Sequence, residues 1–174
     1  LAVFTATAVL LSIMALFSAN YAQNAMEAKG KEELKEQLRS TVGMITSYEA
    51  SVKSATNRLF NFFAVSFDQP VSLDTRDSVV SGDKSLPVLK LAGNPLNNQT
   101  GLVDRFNTIA GMPATVFVLH DGTFYRIATS VKKENGERAV GTSLTKEHPA
   151  VAKLLAGEEY IGKAVVVGKT MMTK

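Results

Sequence analysis

The chain of 174 residues contains no cysteine, which excludes a disulfide framework and any thiolate metal site and leaves folding to a hydrophobic core. Histidine is scarce. His120 stands beside a turn and His148 just before Pro149, and neither has metal-ligand spacing. A helix-end or turn hydrogen bond is the local role that suits each. His120 beside Asp121 does not make a triad, because a carboxylate adjacent in a turn is not placed behind the imidazole. Phosphate loops and dinucleotide fingerprints are missing as well. No catalytic residue, cofactor or metal is therefore expected, and the chain reads as a non-enzyme. Charge of either sign is never concentrated: the net charge is +3 with Lys and Arg dispersed, so nucleic-acid binding gains little support. The length allows one soluble domain with an attached element.

Charge is missing altogether from the amino end. The run LAVFTATAVLLSIMALFSA, Leu1 to Ala19, has none, and the first carboxylate or amine side chain is Glu27. A helix needs about 20 apolar residues to cross a bilayer, so residues 1–23 are expected to form a transmembrane anchor. The competing reading is a cleaved signal peptide, with export as a released protein. The cleavage site is poor, since Asn20 stands two positions before Ala22 and Phe17 before Ala19.

Proline is absent until Pro70, which leaves a long helix uninterrupted over 24–62. Its first third is dense in Glu and Lys. Leu38, Ile45, Val52 and Leu59 recur at sevenfold spacing, with Thr41, Tyr48, Ala55 and Phe62 three residues after each. Between Val52 and Phe62 the stripe is expected to pack on the protein's own sheet. Nearer the amino end, a homodimer through the helix competes evenly with that reading. At 1.5 Å per residue such a helix runs roughly 57 Å.

From residue 63 the pattern turns to short strands punctuated by Gly, Pro, Asn and Asp. Val71 to Leu73 and Leu86 to Leu91 are strand candidates around the turn chemistry of Ser81 to Ser85. Thr100 suits the N-cap of a short helix through Val103, Phe106 and Ile109, stopped by Gly111. Ala114 to Leu119 reads as a strand that Asp121-Gly122 reverses. Pro149 starts another short helix, with Leu154 and Leu155 expected in the core and Gly157 ending it. Tyr160 to Val167 is the last complete strand expected.

The most informative stretch is FYRIATSVKKENGERAVGT, Phe124 to Thr142. Alternation through Phe124 to Thr129 predicts a half-buried strand. Asn135-Gly136 tolerates the positive φ of a tight turn, so Arg138 to Thr142 should return antiparallel. Two arginines and two threonines then share one neighbourhood. Guanidinium and hydroxyl suit a carboxylate, so Arg126, Thr129, Arg138 and Thr142 are the first candidates for binding a small organic anion. Tyr125, Tyr160 and Lys163 are the second. Each also has a structural alternative, a solvated charge or a loop-ordering hydrogen bond. Pleat parity is an obstacle: Arg126 and Thr129 are an odd number apart, so a regular strand aims them at opposite faces unless a bulge intervenes.

Several blocks in order resemble the Cache 3/Cache 2 fusion type of extracytoplasmic sensor domain. They are PVLKLAGNPLN from Pro87, VDRF at Val103 to Phe106, ATVFV from Ala114, the stretch above, HPAVAKLLAGEEYIGKA from His148, and VGKTMMT. The resemblance implies an α+β Cache domain over 24–174. Its long amino-terminal helix would pack on a PAS-like antiparallel sheet, with short helices over the pocket. It also implies the ligand-sensing part of a bacterial methyl-accepting chemotaxis protein in the inner membrane, facing the periplasm. The same sensor can feed a histidine kinase or a cyclic-dinucleotide enzyme instead. In the family a segment like GKTMMTK continues into a closing strand and a second membrane helix, so the chain is expected to be a fragment.

Overall fold

The computed structural model describes residues 2–174, of which residues 2–10 and 12 are described for their helical backbone alone. Helix α1 spans Ala2–Ala64. It starts well before the expected 24–62 because nothing from residue 2 to residue 24 is a proline or glycine. Two compact units follow one another along the chain, residues 1–50 and residues 51–174. The expected anchor over 1–23 falls in large part on side chains outside the described residues. Among the described residues, no helix is long and apolar enough to cross a membrane.

Within the first unit α1 is supported by pairs along its own surface. Lys31 Nζ donates to Glu27 at 2.7 Å, and Lys29 approaches Glu33 at 4.0 Å; exposed pairs like these add only a few tenths of a kcal/mol each, ~0.3–0.5. The heptad residues Leu38, Ile45 and Tyr48 are all exposed.

The second unit is α+β. The end of α1 runs into a 3₁₀ turn, Val65–Phe67. Strands β1 (Val71–Ser81), β2 (Lys84–Leu91) and β3 (Asn94–Pro95) then form an antiparallel sheet in that order. Helix α2 (Gly101–Ala110) leads to β4 (Thr115–His120) and β5 (Thr123–Thr129), a second antiparallel pair. After the long loop come α3 (Val151–Leu155) and a third pair, β6 (Gly162–Val166) with β7 (Lys169–Thr173). Among the described residues, the single sheet expected is thus divided into three separate hydrogen-bonded sheets.

Local chemistry explains most of these boundaries. Asp121 and Gly122 take φ of 47° and 72° between the paired His120 and Thr123, the two-residue turn that the Asp-Gly pair predicts. Gly111 caps α2 in the left-handed region and donates to Asn107 O at 2.9 Å. Thr100 occupies the N-cap position of α2, but its hydroxyl caps no backbone amide.

Three expectations need correction. The strand at Val71 to Leu73 is eleven residues long, because β1 continues through an irregularity between Asp74 and Ser78 and pairs β2 up to Ser81. Tyr160 to Val167 is not the last complete strand: Val167 and Gly168, at φ 46° and 73°, reverse the chain after β6 so that β7 pairs with it. A β-branched residue at positive φ is uncommon, so the Val-Gly pair gave no turn signal. Leu154 and Leu155 are not core residues, at 38% and 51% exposed. A five-residue helix offers one inward face, and Ala150 at its start takes the buried position. Ile109, in the last turn of α2, is exposed.

The core joins β2, α2, β4 and β5 through Leu86, Val103, Phe106, Val116, Val118, Ile127 and Ala128. Leu59, Phe63 and Phe67 pack against it, so the end of the helical stripe does serve the protein's own core. The ring of Phe63 meets those of Phe67 and Phe106 edge to face, with centroids 5.3 and 5.0 Å apart. Asn97, almost fully buried, ties the connection to β2: its Oδ1 accepts from Leu89 N–H at 3.0 Å and its Nδ2 donates to Pro87 O at 3.1 Å.

Phe106→Ala should cost about 3–5 kcal/mol by the usual scale for deleting a buried aromatic. Phe62→Ala, on a side chain half exposed beside it, should cost under about 1 kcal/mol. Urea unfolding of the two variants measures the contrast, and equal losses would contradict this placement of the core.

Candidate functional site

The geometry of the site starts from an extra residue in β5. Val116 pairs with Ala128, yet the next residue of β4, Phe117, pairs with Arg126. Ile127 is therefore the surplus residue of a β-bulge. Cross-strand partners share a face, and Thr115 and Phe117 lie on the same face of β4. The bulge thus puts Arg126 and Thr129, the partners of Phe117 and Thr115, on one face despite their odd separation. Ile127, fully buried, fills the core instead. The half-buried alternation expected for this strand is lost, since Arg126 to Thr129 are four buried residues in a row.

That face opens on a cavity of about 570 Å³ within the second unit. One wall is the end of α1, with Thr56, Leu59, Phe60 and Phe63, joined by Phe106 of α2. Thr115, Phe117 and Arg126 form the floor. His148, Leu154, Glu158, Glu159 and Tyr160 from the α3 region and Met171 and Met172 from β7 line the rest.

Arg126 is the polar centre of this space. The residue is 9% exposed, its guanidinium lies 5.1 Å from the centroid of the Phe117 ring, and Nη1 donates to Thr142 Oγ1 at 2.7 Å. A longer contact reaches Ser143 O at 3.4 Å. Nε is buried with no hydrogen-bond partner. Among the described residues no carboxylate forms an ion pair with Arg126. Burial pushes its pKa down, but a guanidinium stays charged in proteins. A buried cation without a counter-ion carries a desolvation cost that an anion in the cavity would offset.

Thr142 reaches Arg126 because the returning chain pairs with β5: Gly141 N–H donates to Arg126 O, Arg126 N–H to Thr142 O and Leu144 N–H to Phe124 O, at 2.8, 2.8 and 2.9 Å. The return is not the continuous strand expected. Lys132 and Arg138 first bridge to each other around the Asn135-Gly136 turn, and Gly141 at φ 79° then redirects the chain along β5. An alanine Cβ at Gly141 would lie within 2.3 Å of Ser81 O, so this close approach needs glycine.

The other predicted residues are placed elsewhere. Thr129, fully buried, shares a 2.6 Å hydrogen bond with Thr115 Oγ1 and accepts Val131 N–H at 3.1 Å; it supports Thr115 from the neighbouring strand and does not itself line the cavity. Arg138 is not among the residues lining the cavity. It grips Asp104 of α2 with two bonds of 2.8 Å and donates to Thr129 O at 2.8 Å. Tyr125 borders a separate hollow of about 290 Å³ with Ser143 and Lys146. Tyr160 lines the main cavity, its hydroxyl donating to Lys163 O at 2.8 Å. Lys163 itself is exposed on β6, opposite Met172.

Sequence reasoning missed Asp104, the acid of VDRF, because its partner lies 34 residues away. It also missed the cavity role of His148. Nδ1 of His148 accepts Ala150 N–H at 3.2 Å, the helix-end role assigned to it, while the ring lies 6.4 Å from that of Tyr160 and borders the cavity. Burial, and then the charge of Arg126, hold its pKa below the ordinary 6.5.

A long helix and antiparallel sheets, with a cavity beside a buried cation, define an α+β domain. The Cache 3/Cache 2 fusion domain matches residues 19–174, and the chain belongs to that family. Domains of this family are extracellular small-molecule sensors of signalling receptors. No curated protein and no solved structure matches the chain.

Two titrations should move stability in the same direction. The hydrogen bonds from Arg138 hold Asp104 below its ordinary 3.8, so that contribution is present above the unfolded value and lost as pH falls through the folded one. His148 is also depressed in the folded state, so the unfolded chain takes up its proton first and stability declines as pH drops below about 6.5. Thermal midpoints across this range should show the His148 limb vanish in His148→Gln and the acid limb shrink in Asp104→Asn. A midpoint that rises on acidification would contradict both.

Proposed function

We propose that this chain is the extracytoplasmic ligand-sensing part of a bacterial transmembrane receptor of the methyl-accepting chemotaxis type, and that it holds a small organic anion at Arg126. The observation that carries the reading is the buried guanidinium facing a large cavity with Nε unpartnered and no carboxylate paired to it. Guanidinium presents paired donors to a carboxylate, and a desolvated site strengthens them. Thr142 holds the guanidinium in place, and Thr115, backed by Thr129, offers a hydroxyl on the same face.

The domain works by binding, not by catalysis. Residues 1–23 anchor it in the inner membrane with the second unit in the periplasm, which the uncharged run from Leu1 to Ala19 supports. The exposed stripe of Leu38, Ile45 and Tyr48 pairs two copies as a homodimer. Leu59, Phe60 and Phe63 place α1 in the cavity wall, so an occupant that draws α3 and β7 inward bears directly on that helix. A ligand preferring one of two helix positions shifts their populations, which a cytoplasmic partner reads.

A thermal-shift panel of small carboxylates, amino acids and purines, run on the wild-type chain and on Arg126→Ala, tests the binding step. A ligand at about a hundred times its Kd adds roughly 2.7 kcal/mol and so raises Tm by several degrees. At least one carboxylate should do so, and the effect should disappear in the variant. A panel with no stabilising anion would overturn the reading.

A further inference from the structure

We propose that the cavity is selective for an organic monoanion with an apolar tail, a medium-chain or aromatic monocarboxylate. This rests on the reading of the cavity as an anion site and narrows it to one ligand class. The argument begins with a census of charge around the space. Arg126 is one lining cation. The other is Lys174, and it is already engaged: it pairs with Glu159 at 3.0 Å, hydrogen-bonds Asn57 Oδ1 and lies 4.6 Å from the centroid of the Phe60 ring. His148 is disposed to stay neutral near Arg126. A second carboxylate on the ligand would therefore meet no uncommitted cation, and it would face Glu158 and Glu159.

Those two glutamates do not build an ammonium site either. Glu159 has 76% of its side chain in solvent and is held by Lys174, and Glu158 is exposed. A ligand ammonium would have to displace Lys174 from Glu159 or meet Glu158 in solvent. A zwitterionic amino acid would thus strip water from its ammonium for no buried partner.

The remaining surface accounts for the tail. Leu59, Phe63, Phe106, Met112, Met171 and Met172 meet around the same space, and methionine adapts to varied apolar shapes. At about 570 Å³ the cavity is too large for acetate to fill, and an unfilled apolar wall forfeits its contacts. A tail of several carbons or one aromatic ring covers it and excludes water from the guanidinium-carboxylate pair.

Four ligands sharing one phenylethyl or benzyl body separate the possibilities: hydrocinnamate, its neutral amide, phenylalanine and benzylmalonate. They are titrated calorimetrically into the 174-residue chain and into Arg126→Lys, which keeps the charge and loses the paired donors. Hydrocinnamate should bind, with the amide, phenylalanine and benzylmalonate each weaker by about tenfold or more, the scale of one charge-assisted hydrogen bond. Arg126→Lys should weaken hydrocinnamate by a similar factor. Benzylmalonate or phenylalanine binding tighter than hydrocinnamate, and depending on Arg126, would overturn the ligand class and leave the anion site standing. Amide and acid binding equally, or no binding by any of the four or by hexanoate, would overturn the class and the anion site together.

Discussion

The surplus residue in β5 is the constraint from which the site follows. With Ile127 bulged, the strand commits its apolar side chain to the core and still turns Arg126 and Thr129 to the face of Phe117 and Thr115. A regular strand would have to put one of the two polar residues among Val116, Val118 and Leu86. Burying a threonine there would cost an unmade hydrogen bond, and burying an arginine would cost far more. The bulge removes that conflict, and the same displacement gives the guanidinium an aromatic floor and an open side.

The two arginines of the central stretch are partnered in very different ways. Arg138 has a carboxylate on α2 and a backbone carbonyl on β5, so its donors are spent in holding α2 to the long loop. Arg126 has a hydroxyl and a long carbonyl contact, and its Nε has nothing. Both residues look alike in sequence, within a motif of alternating cations and hydroxyls. What separates them is the presence of Asp104 near one and its absence near the other. An arginine whose donors meet protein acceptors has its burial compensated, whereas one buried and left short of partners does not.

Much of the fold was legible, and each legible part had a local cause. The Asp121-Gly122 reversal, the Gly111 stop of α2 and the Asn135-Gly136 turn all depend on backbone preferences of two or three residues. The breaks in legibility also have causes. Val167-Gly168 turns the chain with a residue that rarely takes positive φ, so the β6–β7 hairpin was invisible. Leu154 and Leu155 look like core residues, but a helix of one turn at the edge of a cavity leaves them outside. Of the seven residues named for binding, Arg126 and Tyr160 border the main cavity, and Thr142 holds Arg126. Thr129, Arg138, Tyr125 and Lys163 are positioned elsewhere by pairings and contacts that spacing does not encode.

The sequence alone pointed to the family, because several blocks occur in a set order from Pro87 to Thr173, and it determined the long helix, because no proline before Pro70 breaks one. It also placed the cations and hydroxyls within one short stretch, and identified the parity problem between Arg126 and Thr129. Only the tertiary structure decided how that problem is resolved, which arginine keeps an unspent donor, and that α1, α2, α3 and β7 enclose the space before it. Turn and helix signals act over a few residues and survive in one dimension. Bulge position, ion-pair choice and cavity walls depend on atoms brought together from 34 residues apart, as with Asp104 and Arg138, or 117, as with Asn57 and Lys174; packing chooses among such partners after the chain has folded.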